Sequence, residues 1–177
     1  MGPLLVPDTS IIIDLVRGEV LEAAFRTRFS LVVPDVLYER ELAAHEGPAL
    51  RNLGLQVHAL DGEGVGLAER FLQSTRGLSL VDAFALALAK HVDAILLTGD
   101  GALRALAARE AADCHGLLWL FDAMEEEGVL SRRSLQAALE RVTAQPRCRL
   151  PREEVRKRLQ RYERGPRSPG RRPRGPS

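Results

Sequence analysis

The chain has 177 residues, 45% of them hydrophobic, which is enough to build one domain of ordinary size around a real core. The longest apolar run, residues 83–89, falls far short of the about 20 residues of a membrane span, and Cys114 and Cys148 form neither a disulfide framework nor a metal-ligand spacing. A net charge of +1 hides an asymmetry: residues 147–177 carry 11 Arg and one Lys against three Glu, net +9, leaving −8 on the rest.

In chain order, the apolar run 4–6 stops at Pro7-Asp8 and predicts a strand. Thr9 and Ser10 supply helix-start chemistry, and Ile11, Ile12, Ile13, Leu15 and Val16 supply a buried side. A second helical stretch follows Gly18 to about Arg28, with Val20, Leu21, Ala24 and Phe25 at helical spacing. The run 31–33 is cut by Pro34, after which Asp35 opens a helix that ends before Gly47-Pro48. Residues 55–60 read as a strand and 63–73 as a helix, weakened in its first turn by Gly64 and Gly66. Ser79 then opens an Ala/Leu-rich helix, with Asp82 at the capping-box distance. A strand over 94–97 leads into Thr98-Gly99-Asp100 and a helix over 102–109. Residues 112–115 suggest a last short strand and 117–127 a helix closed by Gly128. Ser131 caps one more, with Leu135, Ala138, Leu139 and Val142 on one face.

Beyond Gln145 the composition changes: six of the ten prolines lie at or after Pro146. Residues 152–161 allow a short helix, with Val155 and Leu159 at i, i+4; the remainder is expected to be disordered. The chain therefore divides into a domain over 1–145 and a basic Arg/Pro-rich tail over 146–177.

Alternating strands and helices imply an α/β fold of three layers, α/β/α, around a central, mostly parallel sheet. Ligands of such sheets bind outside the carboxyl ends of the strands, and Asp8 and Asp100 both sit where a strand hands over to a helix. Singly, Asp8, Asp35, Asp82 and Asp100 each read as the start of a helix. Together they say more: Asp8 and Asp100 would end neighbouring strands, Asp82 lies among apolar residues, and Glu39 or Glu41 offers a further acid. The two glutamates are about 200° apart on an α-helix, so one of them is expected in the site. Converging carboxylates repel one another unless a cation is present. An oxygen-only set suits Mg²⁺ or Mn²⁺ better than Zn²⁺. The histidines His45, His58, His91 and His115 lack ligand spacing and read as structural or exposed.

These residues carry a family resemblance. Asp8-Thr9-Ser10 after a first strand resembles the opening motif of PIN-domain nucleases. Val33-Pro34-Asp35-Val36-Leu37-Tyr38-Glu39 is similar to their second motif, Leu78-Ser79-Leu80-Val81-Asp82-Ala83 to the third and Leu97-Thr98-Gly99-Asp100 to the fourth. Order and spacing match over about residues 4–143, and the break at Gly128-Val129-Leu130-Ser131 is similar to the C-terminal end of some bacterial members.

The resemblance implies a metal-dependent ribonuclease, often the toxin of a toxin–antitoxin pair and often a homodimer; composition, with no signal-like start and no membrane-length run, sets the cytoplasm as the expected location. It maps the metal-binding acids onto Asp8, Asp82, Asp100 and either Glu39 or Glu41. Counting from Val36 favours Glu39, while the Leu that often follows the family's acid favours Glu41; the reading leans to Glu39. Thr9, Ser10 and Thr98 are the hydroxyls expected to hold ligand carboxylates. RNA is the expected substrate and an antitoxin the expected protein partner, with the basic tail either an arm for phosphate backbones or a solvated extension. Two rival readings stand beside this one. The first is a PIN-like module that binds RNA or protein without cutting. The second, a lesser one, is an Asp-based phosphatase, whose second Asp is replaced here by Ser10.

Overall fold

A computed structural model of the chain describes residues 2–164. The elements are β1 (Leu4–Pro7), α1 (Thr9–Arg17), α2 (Leu21–Ala24), β2 (Ser30–Pro34), α3 (Asp35–Leu37), which runs into a π turn over Tyr38–Leu42, and α4 (Gly47–Leu53). There follow β3 (Gln56–His58), α5 (Gly62–Ser74), α6 (Leu80–His91), β4 (Ile95–Leu97) and α7 (Gly101–Arg109). The described chain closes with β5 (Cys114–His115), α8 (Leu117–Glu126), α9 (Arg132–Thr143) and α10 (Arg152–Glu163).

The strands lie in the order β3-β2-β1-β4-β5, and every neighbouring pair is parallel. The expected mostly parallel sheet is thus wholly parallel among the described residues. Successive residues of each strand feed opposite faces, as strand geometry requires. Leu5, Leu31, Val33 and Leu97 join α1, α8 and α9 in one core, whereas Val6, Val32 and Leu96 join α5, α6 and α7 in the other. Strands buried on both faces read as continuous apolar runs, which is why 4–6, 31–33 and 94–97 stand out in the sequence. The expected three layers follow from these two cores.

Chain order reverses at β1: β2 and β3 extend the sheet to one side, β4 and β5 to the other. The carboxyl ends of β1 and β4 therefore flank the point where successive connections diverge, the crevice at which such sheets bind ligands. Pro7 pairs with Leu97 in this register, so Asp8 and Thr98 leave the sheet side by side. The Asp8 N–H donates to the Leu97 carbonyl at 2.9 Å.

Three elements differ from expectation, among them α4, which opens at Gly47, where the sequence marks only a helix end. The helix predicted from Gly18 to Arg28 is a single turn, Leu21–Ala24; the Thr27 hydroxyl donates to the Ala24 carbonyl at 2.7 Å and satisfies the helix end there. After Pro34 the helix loosens at once into the π turn, with the Ala43 N–H donating to the Tyr38 carbonyl at 2.8 Å.

The division drawn after Gln145 falls inside a packed unit. Helix α10 lies against α9 and buries Val155 and Tyr162, while Cys148, Leu150 and Leu159 pack on the same core. Arg158 binds Asp122 of α8 at 3.0 Å and Arg161 binds Glu125 at 2.7 Å. The apolar pair Val155 and Leu159 marks a helix with one buried side; what that side covers is a matter of tertiary packing. The stretch expected to be disordered after this helix lies, from residue 165 on, outside the described residues. No described helix is long and apolar enough to cross a membrane.

Candidate active site

Asp8 is the centre of the site. It is 3% exposed and ends β1 as the N-cap of α1, with its carboxylate accepting from the Ile11 N–H at 2.9 Å. The same oxygen accepts from the Ser10 hydroxyl at 2.7 Å, and the other accepts from the Thr98 hydroxyl. A carboxylate this deeply buried is tolerated only with such partners. Thr98, fully buried, also accepts from the Asp100 N–H at 2.9 Å. One hydroxyl therefore ties the end of β1 to the start of α7.

Asp100 caps α7, accepting from the Leu103 N–H at 2.9 Å, and leaves its second oxygen outward, 3.6 Å from an Arg149 nitrogen. Asp82 lies in the first turn of α6, where it accepts from the Ser79 hydroxyl at 2.7 Å while its own N–H donates back to that hydroxyl at 3.0 Å. Burial pushes the Asp82 carboxyl above its ordinary range against the lowering effect of Ser79. The charges of Asp8, Asp100 and Glu41 push it further the same way. Acids from three other stretches of chain thus bear on the charge of Asp82.

The glutamates part company. Glu41 accepts a hydrogen bond from the Thr9 hydroxyl and adds its charge to the field at Asp82. Glu39 is exposed, and among the described residues no hydrogen bond or ion pair joins it to this group. The expectation that only one of the two glutamates faces the site assumes α-helical geometry. The π turn spans Tyr38–Leu42 and resets the angular position of Glu41 relative to the sheet, a distortion frequent at functional sites. Both glutamates are exposed, and Glu41 alone of the two is linked to the group, through Thr9 and its charge at Asp82.

The donor set is carboxylate and hydroxyl oxygen throughout, the chemistry of a hard divalent cation. Among the described residues no three His, Cys, Asp or Glu side chains stand as a ready-made ligand set. Asp8, Asp82 and Asp100 each accept a hydrogen bond from the start of their own helix. Nearby, His115 stacks on Trp119 at 4.3 Å and lies 3.1 Å from Asp113, a structural role that matches the reading of the histidines.

Two residues escape a reading of the sequence. Arg104 of α7 donates to the Thr98 carbonyl at 2.9 Å and steadies the strand end that carries the site. Arg149 reaches Asp100 from the segment between α9 and α10. Neither stands in a motif, and no local spacing announces either.

A family model described as a PIN domain matches residues 4–164. No curated protein matches the chain.

Proposed function

The chain belongs to the PIN-domain family, and on that premise we propose that it is a Mg²⁺- or Mn²⁺-dependent ribonuclease that hydrolyses phosphodiester bonds of RNA. PIN domains have a nuclease-like fold and typically use divalent metals. The observation that supports the finer reading is that Asp8, Asp100 and Glu41 all bear on the charge of Asp82. Four acids sharing one electrostatic field are costly to a fold, and a site for a hard cation gives that cost a purpose.

In this reading Asp8, Asp82, Asp100 and Glu41 would hold the ion. When bound, it would supply a Lewis acid for the scissile phosphate and a more acidic water as the nucleophile. The chain's own groups do the positioning. Ser10, the Ile11 N–H and Thr98 fix the Asp8 carboxylate. Thr9 orients Glu41 and Ser79 orients Asp82, the role that partners of metal-ligand carboxylates ordinarily play. Serine at position 10 serves Asp8 as a hydrogen-bond donor, where the phosphatase alternative would need a second carboxylate.

Cleavage of single-stranded RNA by the full chain, with Mn²⁺ and with EDTA, is the test. The parent is expected to cut only with metal, and Asp8→Asn to lower the rate by at least about 100-fold. Asp8→Asn cutting at the parental rate would sink the site. RNA binding without metal-dependent cutting would favour the non-cutting module instead. A toxin role belongs to the same proposal: induced expression of the parent should arrest growth, and Asp8→Asn should not.

A further inference from the structure

The segment joining α9 to α10 places one guanidinium at the mouth of the acidic group. Cys148 and Leu150 pack against the core of this face. Arg149, between them, points away from it with its side chain 77% exposed. Exposure alternates along these three residues, partly buried at Cys148 and Leu150 and open at Arg149. A turn in which the Cys148 N–H donates to the Gln145 carbonyl at 3.0 Å holds the segment's start, and Pro151 leads into α10 at its end. The guanidinium comes to rest 3.6 Å from Asp100. Among the described residues this is the one ion pair made to Asp8, Glu41, Asp82 or Asp100. Arg104 of α7 is directed at the Thr98 carbonyl.

From this placement we propose that Arg149 binds a backbone phosphate of the RNA beside Asp100. The inference rests on the ribonuclease reading and adds a substrate-binding residue to it. An acidic crevice on a folded unit of net −3 through residue 164 repels a polyanion, so a substrate strand needs a cation at the crevice itself. Guanidinium suits this role because it is always charged and its planar fork matches two phosphate oxygens. Its present partner does not bind it tightly. Both side chains of the pair are open to water, Asp100 at 42%, and exposed ion pairs contribute little to stability. The side chain exchanges one carboxylate oxygen for a phosphate, while Cys148 and Leu150 keep its backbone in place.

The test uses the full chain with Arg149→Ala and Arg149→Lys, and a labelled single-stranded oligouridylate as probe, in Mn²⁺. Arg149→Ala should raise KM about fivefold with little change in kcat, because a contact made alike in ground and transition state is lost. The slope of log affinity against log salt, measured in the Asp8→Asn background, should fall by about 0.7, one phosphate contact on a single strand. Arg149→Lys should keep the slope and recover part of the affinity. Both variants should melt with the parent, since the side chain lies in solvent. Unchanged KM and slope in Arg149→Ala, with a parent that cuts RNA, would overturn this role and leave the ribonuclease reading standing. Faster cutting or tighter Mn²⁺ uptake by Arg149→Ala would also overturn it, by showing that Arg149 blocks Asp100. A parent that leaves RNA intact in Mn²⁺ would remove both.

Discussion

Asp82 is a carboxylate whose fold works against its charge. Burial raises its pKa above 3.8, and Asp8, Asp100 and Glu41 raise it further. A raised folded-state pKa means that the stabilising contribution is fully present below about pH 3.8, the unfolded value, and is lost as pH rises through the folded value. At neutral pH the ionised group is therefore a liability in the absence of a cation. Asp82→Asn should melt above the parent in EDTA at pH 7, with the difference shrinking as pH falls toward 3.8; a lower melting temperature would contradict the origin assigned to the shift. The glutamates allow a sharper comparison. Glu41→Gln removes the group that Thr9 orients and should lower kcat/KM by about 10- to 100-fold. Glu39→Gln, an exposed change away from the site, should stay within about twofold. Equal losses in RNA cleavage would mean that the π turn does not choose between them.

The element that decides this choice is the turn over Tyr38–Leu42, and it is braced from outside. Gly47 opens α4 so close to the end of the turn that a Cβ there would lie 2.8 Å from the Leu42 carbonyl oxygen and 3.0 Å from the Tyr38 ring. Backbone cannot yield as a flexible side chain can, so Gly47→Ala must displace either α4 or the turn. Such overpacking costs about 1–3 kcal/mol, and a thermal melt should show it. Cleavage should fall more than stability alone explains, because Glu41 moves with the turn. A variant that melts with the parent and cuts as well as it does would remove Gly47 from this account. In the sequence this glycine reads only as the close of a helix.

At the scale of the whole molecule, the acidic residues hold one edge of the sheet while basic residues collect in the C-terminal stretch. Part of that stretch is structural: α10 covers α9 and is tied to α8 by Arg158 and Arg161. Removing everything after Gln145 would strip Val155, Leu159 and Tyr162 from the core, and that shortened chain should unfold at lower temperature. A cut after Arg164 separates charge from packing, since residues 165–177 hold four Arg and no acid. That variant's RNA affinity should depend less steeply on salt than the parent's if those arginines meet phosphates. An unchanged slope would take them out of the interface.

Local chemistry makes much of this protein readable. Apolar runs of strand length, Asp and Ser at helix starts, and the apolar spacing of residues 135–142 determine where strands and helices form, because those signals act over a few residues. The same caps put Asp8, Asp82 and Asp100 at the starts of α1, α6 and α7, and a parallel sheet directs such starts to one edge. Tertiary structure decides what local rules cannot reach. That Glu41 rather than Glu39 bonds Thr9 and bears on Asp82 goes with a π turn that no local signal announces. Whether residues 146–164 are tail or core depends on a face of α9 that only folding presents. Arg149 reaches Asp100 across 49 positions of chain, a proximity made by two helices packing and written in no short stretch of sequence.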